Sequence, residues 1–465
     1  MPACRRPALL RIEFLSNWIS IMTVLPRLGV FLMLLFTNPG LRAQDEPLLT
    51  PDQLRTDLRF IQDSIAATHP EPGFSADEAQ LRQAYQQLAM QLQQPMTRDA
   101  AWRLLATLNP VYADAHLAIT QPDPYGQSAA HLKAGGTFFP YEMVADAAGT
   151  LRIRAELGGN ASPLAGARVE QINGMPASRI VAHMLERMHG DTPAFRADLL
   201  STRWPFFYWK MFGDAAQYAL LLADGRQLRV PAASAMPTWL QGRNSASKQF
   251  HFEPLAGGAA LLTINTFAWP DKRQFTEFTE DAFRRMRESG VNKLIIDIRE
   301  NGGGNDDMWI DGVLPYLADK PYRWASTYRK KVIKGRESAS EKLGDIIDGE
   351  IGNWQQPQPN NPLRFQGSTY VLVGRNTYSS AILFANVMQD FHFAKLVGAA
   401  SHVRARQSGG TQNFRLPNSG LGLGVPRLIF QRPSGIASPV LLQPDIMLPD
   451  DPFAPQALVQ AVQAL

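Results

Sequence analysis

The chain holds one cysteine in 465 residues, Cys4. Everything after it is free of thiols. That excludes disulfides, a cysteine nucleophile and thiolate metal sites, and it suits an oxidising compartment. Other signatures are missing too. There is no His-Glu-x-x-His pair, and Asp306-Asp307 is too short for a calcium loop. No Gly-Lys-Ser/Thr follows the glycines at 302–304, so a phosphate-binding loop is disfavoured. No cofactor or metal is expected. Internal repeats and low-complexity tracts are absent.

A general basic character is also missing, despite a sequence pI near 9.1. Residues 1–43 hold Arg5, Arg6, Arg11, Arg27 and Arg42 against Glu13 alone. Removing them takes Lys+Arg from 46 to 41 and Asp+Glu from 42 to 41. The remainder is close to neutral, which argues against nucleic acid as a partner. The apolar run Gly29–Phe36 is too short to span a bilayer but suits a signal sequence. Asn38, Pro39 and Gly40 break it, and cleavage is expected after Ala43. Met22 is an alternative start, giving a compact signal from Met22 to Ala43. The competing reading is an uncleaved anchor. No cysteine stands at the cleavage point to carry a lipid. The expectation is a periplasmic or secreted protein with no stable membrane span.

What is present divides into three textures. Residues 44–130 form an N-terminal helical region: Leu54, Leu58 and Ile61 mark one amphipathic stretch, His69-Pro70-Glu71-Pro72-Gly73 breaks it, and Thr97 is placed to cap a later helix. Residues 136–245 alternate strand-like pieces with Asn173-Gly174, a turn signal, and a helix from about Ala177 to Met188. The segment Leu164–Pro176 resembles the centre of a PDZ domain, a module that adds a peptide to a sheet edge. The competing reading is any small α/β insert. Residues 250–465 read as an α/β core. Lys293–Ile298 is a continuous apolar strand of the kind covered on both faces.

Two features of this core bear on chemistry. In Tyr370–Ala381 a strand leads through a short loop to a helix beginning near Ser379. A serine there sits by unpartnered N–H groups and the positive end of the helix dipole. It is either a nucleophile or a simple N-cap. The second feature is Asp297-Ile298-Arg299-Glu300-Asn301-Gly302-Gly303-Gly304, where a buried strand runs into three glycines. Such a loop can turn N–H groups toward an oxyanion, and an ordinary glycine-rich turn is the alternative.

Together these segments resemble peptidase family S41, which includes the C-terminal processing peptidases and tricorn-like enzymes. The resemblance extends over Phe384–Asp390, Leu396-Val397-Gly398, Leu416–Gly420 and Gln443-Pro444-Asp445-Ile446. It implies a ClpP/crotonase-like β/α core with a PDZ-like insert, and a peptide or protein substrate. It also implies Ser379 as nucleophile, with Gly302, Gly303 and the Ser380 N–H at the oxyanion hole. The processing peptidases use a lysine base where this chain has Arg404, and arginine cannot act as a base. Tricorn-like members use a histidine ahead of the insert, and Val111-Tyr112-Ala113-Asp114-Ala115-His116-Leu117 is similar to that segment. His116 is therefore the expected base, with His402 as a backup and His69 as structural. The late acidic residue of those enzymes has no counterpart near Ser438. A Ser–His dyad, or recruitment of Asp114 or Asp306, remains open. So do a peptide-binding relative without activity and an esterase or amidase on the same core.

Overall fold

The computed structural model describes residues 47–399 and 402–465, and the expected signal segment lies outside them. Three capped helices open the described chain. Thr50 and Gln53 form a reciprocal capping box on Pro51–Thr68. Asp77 accepts from the N–H groups of Ala79 and Gln80 ahead of Glu78–Gln91. Thr97 accepts from Ala100 N–H at the start of Arg98–Leu105. Each cap satisfies N–H groups that have no partner in a helix's first turn.

Residues 141–231 carry a hairpin, Tyr141–Ala145 with Leu151–Glu156, and a four-stranded sheet. That sheet runs in the order Met175–Pro176, Val169–Ile172, Gln217–Leu222, Gln227–Pro231. The helix expected to reach Met188 ends at Leu185. A second helix, Pro193–Phe212, was not separable in the sequence. Pro205 stands inside it, and Trp204–Phe207 is apolar on every side, which hides the helical period. Leu54, Trp102, Ile180 and Trp204 all belong to one apolar cluster, so the N-terminal helices and this segment share a core.

The C-terminal part is built on a six-stranded sheet. Its order is Ile446–Met447, Lys395–Gly398, Ser368–Leu372, Lys293–Asp297, Ala259–Ile264, Phe250–Pro254. All neighbours are parallel except the last pair. Leu294 and Ile296 pack into one cluster with the helices Lys272–Glu288 and Ser380–Asp390. Ile295 packs on the other face against Leu458 and Val462 of the helix Pro455–Gln463. Double coverage is why the strand reads as an unbroken apolar run. Each such side chain contributes about 1.5–3 kcal/mol of burial.

Two further pairings place the site. The short strand Ala118–Thr120 runs antiparallel to Gly422–Val425. The strand Gln407–Gly409 pairs with Leu428–Phe430 in a separate four-stranded sheet. Among the described residues no helix is long and apolar enough to cross a membrane.

Candidate active site

Ser379 follows the strand Ser368–Leu372 and immediately precedes the helix Ser380–Asp390. Its side chain makes no capping hydrogen bond, which removes the simple N-cap reading. Its backbone has φ 55° and ψ −126°. A non-glycine residue in such a region costs about 1–3 kcal/mol and persists only where its surroundings enforce it. The enforcement is visible. Tyr378 N–H donates to Asn301 O at 3.0 Å, and Thr377 Oγ1 donates to Ile298 O at 2.8 Å.

The hydroxyl is 2.9 Å from His116 Nε2. His116 is carried between the helix Asn109–Tyr112 and the strand Ala118–Thr120, so the pairing with Gly422–Val425 anchors it from behind. Its ring lies against Tyr378, with centroids 4.9 Å apart. His116 Nδ1 is 3.0 Å from Ser408 Oγ, and Ser408 Oγ donates to Asp114 Oδ1 at 2.9 Å. Ser408 has one proton. With that proton on Asp114, the Ser408 oxygen accepts from His116 Nδ1–H, and Nε2 is left free to accept from Ser379. Burial lowers the His116 pKa to about 4, against the opposing pull of Asp191. The imidazole is neutral at pH 7, as a base must be.

Asp114 and Asp191 form a buried acidic pair. Burial raises both pKa values, with Asp114 adding repulsion at Asp191 and Arg404 opposing the rise at each. Asp191 accepts from Tyr378 OH at 2.9 Å and from Arg404 N–H at 3.0 Å. The Arg404 guanidinium is 3.6 Å from Asp191 and donates to Ala113 O at 2.7 Å. Arg404 thus stands where a lysine base would be expected and instead ties down the histidine-bearing loop.

The glycine loop abuts the serine. A Cβ on Gly303, whose φ is +97°, would lie 2.6 Å from Ser379 Cβ and 2.9 Å from Ser380 N. Gly303 N–H is engaged by Asn301 Oδ1 at 2.9 Å, so its part is close approach and not donation to an oxyanion. Gly302 lines the same cleft as Ser379 and His116. Among the described residues, neither Gly302 N–H nor Ser380 N–H donates to a protein acceptor. Asp297 and Arg299 of the same motif are structural: Arg299 bridges Asp297 and Asp450 at 2.7 and 2.8 Å.

The remaining candidates fall elsewhere. Asp306 accepts from Ser380 Oγ and does not reach the histidine chain. His402 pairs with Asp198 in a separate cavity, so the backup-base expectation fails. His69 is buried and accepts from Glu71 N–H. Sequence reading missed Ser408, Asp191 and His189, which also lines the cleft. None sits in a motif, because each is brought in by tertiary contact alone. Among the described residues no cluster could hold a metal ion.

Residues 258–448 match the family model for Peptidase family S41. No curated protein sequence matches the chain. Among solved structures, mature CPAF is similar over 89% of this chain and 96% of its own, at 14% identity and a TM-score of 0.62. Mature CPAF complexed with lactacystin is similar over 89% and 97%, with 14% identity and a TM-score of 0.60. At such identity the likeness is one of fold.

Proposed function

We propose, from the match of residues 258–448 to the model of peptidase family S41, that this chain is a member of that family and an exported serine peptidase working through Ser379 and His116. The observation that carries this reading is the 2.9 Å contact between His116 Nε2 and Ser379 Oγ. Behind it, Ser408 and Asp114 orient the ring.

In the proposed mechanism His116 takes the Ser379 proton as Oγ attacks the scissile carbonyl. The oxyanion that forms is held by the Gly302 and Ser380 N–H groups, each worth on the order of 10²–10³ in rate. Protonated His116 then delivers its proton to the leaving amine. An acyl-enzyme remains on Ser379, and water activated by the same histidine releases the acid. Asp114 acts through Ser408 and touches no reacting atom, so both are positioning residues.

Residues 136–245 are read as a PDZ-like insert. The succession of strand Val169–Ile172, turn, strand Met175–Pro176 and helix Ala177–Leu185 supports that reading. The parallel sheet with helices on both faces supports a ClpP/crotonase-like core. The basic, apolar leader supports export, which N-terminal sequencing of the mature protein tests.

Labelling with a fluorophosphonate tests the mechanism. Wild type is expected to label and to cleave peptides, while Ser379→Ala and His116→Ala do neither. Peptide binding without labelling or turnover would make the protein a binder. Labelling with turnover of simple esters alone would make it an esterase.

A further inference from the structure

The cleft that holds Ser379 and His116, of about 800 Å³, is unevenly charged. Arg203, Arg243 and Lys248 line it, against the single carboxylate of Glu300. Glu300 is itself engaged by Asn376 Nδ2. Arg203 stands at the kink of the helix Pro193–Phe212, where φ −113° and ψ 16° leave helical geometry two residues before Pro205. Its guanidinium lies over the Trp239 ring, 5.1 Å from the centroid.

Arg203 has no acidic partner among the described residues. The groups that act on it are burial and the like charge of Arg243, which lower its pKa to about 10. The same guanidinium and His116 both act on His189, so it lies near the catalytic histidine. A half-buried cation on a cleft wall without a counter-ion is costly, and proteins normally pair it.

We propose that this basic wall is a substrate subsite, and that the peptides cleaved carry a carboxylate close to the scissile bond, which Arg203 receives. The inference rests on the serine-peptidase reading and names its substrate class. Arg203 supplies a planar fork for bidentate contact, while exposed Arg243 and Lys248 add attraction at longer range. The carboxylate has two sources, an acidic side chain or the free C-terminus of the peptide.

The test uses one peptide scaffold in four forms: with Glu or Gln beside the scissile bond, and with a free or amidated C-terminus. Binding is measured by anisotropy on the full chain carrying Ser379→Ala, and turnover on wild type. A carboxylate form is expected to bind about ten- to a hundredfold more tightly than its neutral counterpart. Arg203→Met, which keeps the contact on Trp239, should collapse that ratio toward one. Arg243→Gln and Lys248→Gln together should reduce it in the same direction. Loss on amidation assigns the C-terminus, and loss with Gln assigns the side chain. A wild-type ratio within twofold, or one that survives Arg203→Met, overturns the proposal. The binding arm needs no turnover. An unlabelled Ser379 with no cleavage therefore sinks the peptidase reading separately, while labelling without a carboxylate preference sinks only the subsite.

Discussion

Ser408 and Asp114 are 294 positions apart and meet through a 2.9 Å hydrogen bond directly behind His116. The acidic residue expected late in the chain is absent near Ser438. The structure holds a carboxylate two positions before the histidine and reaches the ring through a serine from the opposite end of the chain. This fixes the imidazole tautomer without a hydrogen bond between ring and carboxylate, since His116 Nδ1 is 3.9 Å from Asp114 Oδ1, which instead accepts from the His116 backbone N–H at 2.8 Å.

Ser408→Ala should lower kcat about ten- to a hundredfold and leave KM nearly unchanged, because the ring loses its orienting partner while the cleft is intact. Ser408→Thr keeps the hydroxyl and should restore most of the activity. Steady-state kinetics on one peptide decides the matter. An unchanged kcat in the alanine variant would mean the relay does not act.

The pH dependence follows from burial. With the His116 pKa near 4, kcat/KM should stay high down to weakly acid pH and fall by half near pH 4, not near 6.5. Stability moves in the same direction. His69, His116 and His189 have folded-state pKa values lowered to about 4, 4 and 3. The unfolded chain therefore binds more protons below about pH 6.5, and stability is lost as pH falls from there toward 4. Each pKa unit corresponds to about 1.4 kcal/mol per group. Asp114 and Asp191, whose pKa values burial raises, act in the opposite sense, so the histidine share is read by comparison: between pH 8 and 4.5 the urea midpoint of wild type should fall further than that of His69→Gln, and an equal fall would refute the account.

Gly303→Ala should reduce turnover by more than a hundredfold. Its Cβ would meet Ser379 Cβ at 2.6 Å and Tyr378 O at 2.8 Å, and alanine disfavours φ +97°. The strained serine must then shift, and displacement on the order of 1 Å is enough for that loss. Fluorophosphonate labelling rates measure it directly. Labelling at the wild-type rate would show that the close approach is dispensable.

Arg404→Met should destabilise the protein by on the order of 3 kcal/mol, because it removes the cation facing two buried carboxylates. Arg404→Lys should fall between, keeping a charge while losing the planar fork that also reaches Ala113 O. Denaturant melts would show this. If lysine matched arginine, the contact to the histidine-bearing loop would carry no weight.

Much of the core was legible because its signals are local. The unbroken apolar run at Lys293–Ile298, the strand-loop-helix at Ser379 and the capping residue Thr97 depend on neighbours within a few positions. The helix Pro193–Phe212 was not legible, since Pro205 and an all-round apolar surface erase the period that identifies a helix. Ser408 carried no signal at all. It lies on a three-residue strand whose place is set by pairing with Leu428–Phe430.

By itself the sequence determined which residue types were available: no thiol after Cys4, Ser379 at a helix start, His116 in an Asp-Ala-His segment ahead of residue 136, and arginine at position 404 where a lysine base would be expected. Backbone preference and side-chain chemistry act residue by residue, so these are readable along the chain. Only the tertiary structure decided that Asp114, not Asp306, stands behind His116, that Gly303 makes room and does not donate, and that Arg203 is left without a counter-ion in the cleft. Those outcomes depend on contacts between strands and loops up to hundreds of residues apart, and on which charges burial forces together.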